Sequence, residues 1–190
     1  MKRFILASAS PRRRRLLSAV GLEFDVVETA VVEQALEGEP PQEFALRMAR
    51  SKALAASALN PERLVLAADT IVDLEGEIIG KPKSPDEARR TLSRLSGRTH
   101  TVITALAIAQ AGEILEHEAV LSQVAFRALS GQEMEAYILS REPFDKAGAY
   151  GVQGLGRSFV EHIDGSFSNV MGLPIENALA ALKRHLLPAP

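Results

Sequence analysis

Residues Leu64 to Ala68, LVLAA, form an unbroken apolar run of strand length that stops at Asp69. A strand with one wet face alternates apolar and polar residues, so an uninterrupted run reads as a strand buried on both faces. Such a strand needs cover on each side, and the flanking sequence offers that cover as helices. This run therefore points to a layered α/β architecture.

The segments around it fit. Arg3 to Ala7 reads as a short apolar strand, and Ser10 has N-cap chemistry with Pro11 at the first helical position. Leu16, Leu17 and Val20 give a helical stripe, and Gly21 a stop. Phe24 to Glu28 reads as a second strand and Gly38 to Pro41 as a turn. The alanine-rich stretch Gln42 to Leu59 reads as a long helix ending before Asn60-Pro61. Asp69 is expected to close the apolar strand. Ile71 to Leu74 and Glu77 to Ile79 then form a hairpin about Glu75-Gly76. Ser84 with Glu87 has the spacing of a capping box for a helix running to Leu95. Ser130 with Glu133 repeats it before a helix that ends near Arg141. Thr101 to Ala109 and Ile114 to Phe126 are two long strands joined at Gln110 to Gly112. Gly148, Gly151, Gly154 and Gly156 mark an irregular loop, Phe159 to Ile163 a strand, and Ile175 to Leu187 a final helix. Strand-helix units mixed with hairpins predict one α/β domain with a mixed, twisted sheet flanked by helices.

Composition narrows the chemistry. The 190 residues are 46% hydrophobic and 24% charged with a formal net charge of -2, values of an ordinary globular protein. That charge argues against a general nucleic-acid binder. With no cysteine, disulfides, thiolate zinc sites and cysteine nucleophiles are excluded together, which permits a reducing cytoplasm. Lys2 and Arg3 before apolar residues begin like an export signal, but Phe4 to Ala7 falls short of the roughly 7–15 residues an apolar core of a signal needs. No run approaches the roughly 18 apolar residues of a membrane span. The expectation is a soluble, unexported protein.

Four arginines, Arg12 to Arg15, follow Pro11. In the first turn of a helix Arg12 and Arg13 oppose the helix dipole and forfeit about 0.3–1 kcal/mol each, a sign that a bound anion would reverse. Because successive helical residues turn by about 100°, one or two of the four can face a ligand while the others are solvated. Ser8 and Ser10 add donors in the turn where phosphate sites form. A solvated cluster or a nucleic-acid patch fits the same four residues. Asp69, at the carboxyl end of a buried strand, stands where open α/β sheets place ligand chemistry, although a capping or turn aspartate, followed by Thr70, fits that position too. Arginine outnumbers lysine 16 to 6, so Lys52 among helical alanines and Lys81 in the loop Lys81-Pro82-Lys83 carry some information. Glu33 lies in a polar stretch with Glu37 and Glu39. Asp145 and Lys146 sit beside the glycine loop, where Gln153 can present an amide with both donor and acceptor. His100, His117, His162 and His185 show no metal-ligand spacing, a P-loop is absent, and Gly151 to Gly156 lacks the order of a dinucleotide fingerprint.

Five blocks taken in order make a set: LASASPRRRRLL, ARSKALA, AADTIV with GEIIGKP, LSGRTHTVITALAI, and DKAGAYGVQGLGRSFVEHIDGSFSNVMGLP. Across nearly its whole length the sequence resembles the Maf family of nucleoside triphosphate pyrophosphatases. The DKAGAYGVQG block is similar to the subfamily acting on dTTP and UTP, as distinct from relatives acting on 7-methyl-GTP. The resemblance implies an architecture related to inosine triphosphate pyrophosphatases, with room for two lobes and a cleft between them. It also implies a divalent cation (Mg²⁺ or Mn²⁺), a homodimer, and cleavage between the α- and β-phosphates in a nucleotide-pool sanitising role.

By the same resemblance Asp69, Lys52 and Lys81 are catalytic. Ser8, Arg12, Arg13, Thr70 and Gln153 bind substrate, with Arg12, Thr70 and Gln153 tied to base choice; in the mechanism this suggests, Asp69 and Glu33 would hold the metal, Asp69 being general base, metal ligand or both. Ala9 stands where many relatives carry glycine. Two other readings stay open: a 7-methyl-GTP pyrophosphatase, and a non-enzymatic regulator of septum formation that would draw on the arginine run.

Overall fold

Strand and helix alternate from the start of the chain, and the computed structural model describes residues 3–186. Lys2 and Leu187, the expected end of the last helix, lie outside the described residues. In order the elements are β1 (Phe4–Ala7), α1 (Pro11–Ala19), β2 (Phe24–Val27), α2 (Pro41–Leu59), β3 (Val65–Leu74), β4 (Glu77–Ile79), α3 (Pro85–Leu95), β5 (Thr99–Gln110), β6 (Glu113–Phe126), α4 (Gly131–Leu139), β7 (Val160–Asp164), α5 (Phe167–Val170) and α6 (Ile175–Leu186). Three short 3₁₀ turns lie between α4 and β7. The strands make a seven-stranded mixed sheet in the order β2-β1-β3-β5-β6-β7, with β4 pairing β3 off that path. β1 runs parallel to β2 and to β3, whereas β3–β4 and β6–β7 are antiparallel.

The chain divides into two units. One takes the residues up to Asp69, Thr104–Val120 and the stretch from Gly172; the other takes Thr70–Ile103 and Leu121–Met171. In the first unit, alternate residues Phe4, Leu6, Leu64, Leu66 and Ala68 build one core with Leu17 of α1 and Ala178, Ala181 and Leu182 of α6. The intervening residues Ile5, Ala7, Val65 and Ala67 are equally buried, as the unbroken run required. Their face is the α2 side: α2 packs on β1 and buries Ala45, Met48, Ala49, Ala53 and Ala56, a stripe at helical spacing. Asp69 shares the parity of Val65 and Ala67, so its side chain also points to the α2 side.

In the second unit an edge-on aromatic cluster fills the core, with Phe126 against Tyr150 at 4.7 Å, His100 at 5.1 Å and Phe159 at 6.1 Å between ring centroids. The β3–β4 turn takes positive φ at Glu75 and Gly76 (57° and 86°), the twist that a two-residue hairpin demands.

Several local expectations need correction. Asp69 does not close a strand. β3 continues to Leu74, because as β1 pairing ends at Ala67 the antiparallel partner β4 takes over from Val72. Ser10 has N-cap geometry, but its hydroxyl accepts no helix N–H. Ser84 accepts the Glu87 N–H at 3.2 Å, while the Glu87 carboxylate turns to the Lys83 N–H instead of closing the box. Ser130 and Glu133 do form the reciprocal box. Ala9 is not among the positive-φ residues, so alanine suits that turn. The four-residue helix α5 lies outside the sequence expectations.

His100 is 2% exposed, with Nε2 on the Tyr150 hydroxyl at 2.8 Å and Nδ1 buried without a partner. Burial pushes its pKa down to about 4. The unfolded chain therefore binds this proton first, and the stability contributed by the neutral imidazole is present above about pH 6.5 and fades as pH falls toward 4. The loss amounts to about 3 kcal/mol over that window. Urea unfolding of the His100→Phe/Tyr150→Phe pair, which leaves no orphaned hydroxyl, is expected to show a shallower fall in stability between pH 6.5 and 4. An unchanged slope would contradict it.

Candidate active site

The first unit gathers charge at the point where β1 stops and β3 runs on. Lys52 occupies a position on the buried stripe of α2, four residues after Met48 and four before Ala56, so its ammonium is directed at the sheet. It donates to Asp69 Oδ1 at 2.6 Å and to Glu33 Oε1 at 2.5 Å. Asp69 is 7% exposed, and the Lys52 side chain 11%; Glu33 reaches in from the segment between β2 and α2 and remains half-exposed. One ammonium is thus clasped by two carboxylates, one buried and one half-exposed, so the largely buried lysine has a partner of opposite charge on each side.

Arg13, the third residue of α1, is the second anchor. At 9% exposure it donates from Nε to the Gly172 carbonyl at 2.7 Å and from Nη1 to Ser8 Oγ at 3.1 Å. The same Ser8 hydroxyl accepts the Ser10 N–H at 3.2 Å. Burial lowers the Arg13 pKa, Asp69 and Glu33 raise it, and Arg12 lowers it. These couplings place Ser8, Arg12, Arg13, Glu33, Lys52 and Asp69 in one electrostatic neighbourhood of the first unit. Of the arginine run, Arg13 faces inward, Arg14 reaches the Ala9 carbonyl at 3.1 Å, and Arg15 is exposed.

The second unit carries the other sequence candidates. Thr70 follows Asp69 on β3 and is half-buried. Lys81, exposed after β4, lines a cavity of about 250 Å³ with Pro82, Glu87 and Arg90. Gln153 is exposed in the glycine loop, and its amide has no hydrogen-bond partner within the described residues. The segments bearing Lys81 and Gln153 are tied together by the Gly148 N–H on the Gly80 carbonyl at 3.2 Å. A Cβ on Gly148 would meet Val72 Cγ2 at 2.8 Å, so only glycine permits this approach. Lys146 donates to the Asp145 carboxylate at 2.5 Å and to the Glu142 carbonyl at 2.7 Å, which makes both residues parts of the loop's framework.

Among the described residues no group of three His, Asp or Glu side chains converges as a ready metal cage. The acidic donors are the two carboxylates that meet at Lys52. The Lys52 ammonium fills the point on which both converge; as hard oxygens they are of the type that takes part in holding Mg²⁺ or Mn²⁺ together with water and substrate phosphate. Sequence reasoning does not reach two residues. The Gly172 carbonyl is a backbone acceptor 159 positions from Arg13, and its only trace is the Gly-Leu-Pro turn. Glu142 shows itself only as an acid before Pro143, ahead of the glycines.

The Maf-like protein family profile matches residues 3–185. A dTTP/UTP pyrophosphatase of Anaeromyxobacter dehalogenans (strain 2CP-1) is 47% identical over 191 residues, covering 99% of this chain and 96% of its own. A dTTP/UTP pyrophosphatase of Chromobacterium violaceum is 48% identical, covering 93% of this chain and 92% of its own. Among solved structures, a HAM1 protein from Coxiella burnetii overlays with a TM-score of 0.56 at 15% identity, covering 97% of this chain and all of that one, which is a likeness of fold. With the profile spanning nearly the whole sequence and relatives this similar end to end, the chain belongs to the Maf family.

Proposed function

We propose that the chain is a nucleoside triphosphate pyrophosphatase, acting as a single domain on dTTP and UTP and releasing the monophosphate and pyrophosphate. The observation that carries this is the clasp of Lys52 between Glu33 and Asp69 beside the buried guanidinium of Arg13. Attack on a phosphorus ringed by anionic oxygens is opposed by charge, so catalysis comes from cations held ready and from a base at the attacking water. The pyrimidine preference is supported by the names of the relatives, each a dTTP/UTP pyrophosphatase. Neither of these two relatives is named for the 7-methyl-GTP alternative. The septum-regulator reading loses Arg13, an internal anchor, from its basic run, while Arg12, Arg14 and Arg15 stay at or near the surface.

In this proposal Asp69 takes the proton from the attacking water and Lys52 orients Asp69. Arg13, with Ser8, faces the phosphates, and the first turn of α1, which lacks a side-chain cap, adds N–H donors. Lys81 is proposed to neutralise the leaving pyrophosphate, and Arg12 and Thr70 to contact the nucleotide. Glu33 and Asp69 are the residues that would hold a divalent ion; when bound, such an ion polarises phosphate oxygens and acidifies coordinated water. The Gln153 amide can accept the N3–H of uracil or thymine and donate to an adjacent carbonyl. The two bases share that edge and differ by a methyl, which a pocket discriminates by only about 1–3 kcal/mol, so accepting both is reasonable. A sanitising role in the cytoplasm and a homodimer are proposed from the family resemblance. No helix among the described residues is long and apolar enough to cross a membrane.

Rates with dTTP, UTP, CTP and 7-methyl-GTP test the reading. The first two are expected to be preferred, and a preference for 7-methyl-GTP would move the substrate assignment. Chelation is expected to abolish turnover and added Mg²⁺ to restore it. Asp69→Asn is expected to lower kcat by roughly 10²–10⁴-fold while UTP still binds; near-normal kcat would remove Asp69 from the chemistry. Gln153→Ala is expected to reduce the UTP-to-CTP ratio of kcat/KM by about tenfold or more, and an unchanged ratio would count against it as the base reader.

A further inference from the structure

The loop that presents Gln153 is organised by one carboxylate. Glu142, half-buried in the first of the 3₁₀ turns, accepts the Leu155 N–H on Oε2 at 2.9 Å. Its Oε1 accepts the Tyr137 hydroxyl at 3.1 Å and the Gly156 N–H at 3.3 Å. The tyrosine is buried, and burial together with the adjacent Glu142 charge raises its pKa, so the phenol stays a donor. The carboxylate thus replaces the hydrogen bonds that an irregular loop cannot make within itself.

The glycines record the same arrangement. A Cβ on Gly154 would fall 2.3 Å from Glu142 Oε2 and 2.4 Å from Oε1. A Cβ on Gly151 would fall 2.6 Å from Lys146 Cε, and Lys146 is itself bonded to the Glu142 carbonyl. On Gly156 it would meet the Tyr137 hydroxyl at 2.9 Å and the Gly151 backbone at 3.0 Å. Residues 151–156 therefore close on Glu142 like a ring on a peg. Within that ring Val152 is buried, while Gln153 alone offers an unpaired amide outward.

We propose that Glu142 is a positioning residue for pyrimidine selection: its carboxylate holds the 151–156 loop so that the Gln153 amide meets the base edge at a fixed place. The inference rests on the reading of Gln153 as the base reader and adds the residue through which that reader is aimed. An amide free to drift by about 1 Å keeps its chemistry and loses its alignment, which is worth on the order of 10²-fold where geometry is critical.

The test compares Glu142→Ala, Glu142→Gln, Gly154→Ala, Gln153→Ala and the Glu142→Ala/Gln153→Ala pair, with kcat and KM measured separately for UTP and CTP. Glu142→Ala is expected to raise KM for UTP about tenfold, with kcat within about twofold and little change for CTP. The UTP-to-CTP ratio should fall to the Gln153→Ala level, with no further fall in the pair. Glu142→Gln, which keeps one acceptor, should lie between. Gly154→Ala, whose methyl expels the carboxylate, should match Glu142→Ala and keeps the inference testable if removing the acid unfolds the chain. If Gln153→Ala lowers the ratio while Glu142→Ala or Gly154→Ala leaves it intact, the Glu142 inference alone is overturned. An equal fall in kcat for both nucleotides on Glu142→Ala would overturn it in favour of a general structural role. If Gln153→Ala itself leaves the ratio unchanged, the base reading falls and this inference with it.

Discussion

A lysine ammonium held between two carboxylates, with its side chain mostly withdrawn from water, is the interaction around which the candidate site of the first unit is built. Isolated, the Lys52 and Asp69 charges would be costly to bury; together they satisfy one another, and the half-exposed Glu33 adds a second carboxylate to the ammonium. The sheet makes this possible. β1 ends at Ala7 while β3 continues past Ala67, so the backbone beside Asp69 is freed from its parallel partner without the strand ending. Parity then turns Asp69 toward α2, and the alanine-rich stripe of α2 brings Lys52 to meet it.

Arg13 works by the same logic from the other side of the β1–α1 turn. A guanidinium in the first turn of a helix is disfavoured by the dipole, and burial disfavours it further. Its cost is offset by the Gly172 carbonyl, the Ser8 hydroxyl and the nearby carboxylates. The result is a cation held in direction by protein partners, which in the proposed function is the preorganisation that electrostatic catalysis requires. The run of four arginines looks like one feature in sequence, yet helical rotation divides it: one side chain becomes part of the interior and the others stay at or near the surface.

Much of this is legible in the chain. The LVLAA run foretells a doubly covered strand because five apolar residues bounded by Asp69 match strand length and leave no polar face for water. Lys52 is only faintly legible, as a lysine among helical alanines in an arginine-rich chain, and its contact with Asp69 and Glu33 is not, because the partners lie 17 and 19 residues away. Asp69 is legible as a candidate through its place after the apolar run, but not as a residue inside a strand, because β4 joining β3 beyond the β1 pairing is a long-range event. Glu33 carries no local signal, since it lies among other acids in an irregular segment, and only the family resemblance singles it out. The Gly172 carbonyl and the Glu142 peg escape for a common reason: each acts on residues far away or around a bend, and neither a backbone acceptor nor a lone acid announces its partner. Ser10 shows the converse, a residue with the chemistry of a cap whose hydroxyl does not cap.

The bond that is broken decides whether this constellation does what its charges suit it for. Phosphorus NMR of UTP turned over by the chain in Mg²⁺ resolves the products directly. UMP and pyrophosphate in equal amounts, with orthophosphate absent, are expected of cleavage between the α- and β-phosphates. UDP with orthophosphate, or no turnover in Mg²⁺ or Mn²⁺, would contradict it.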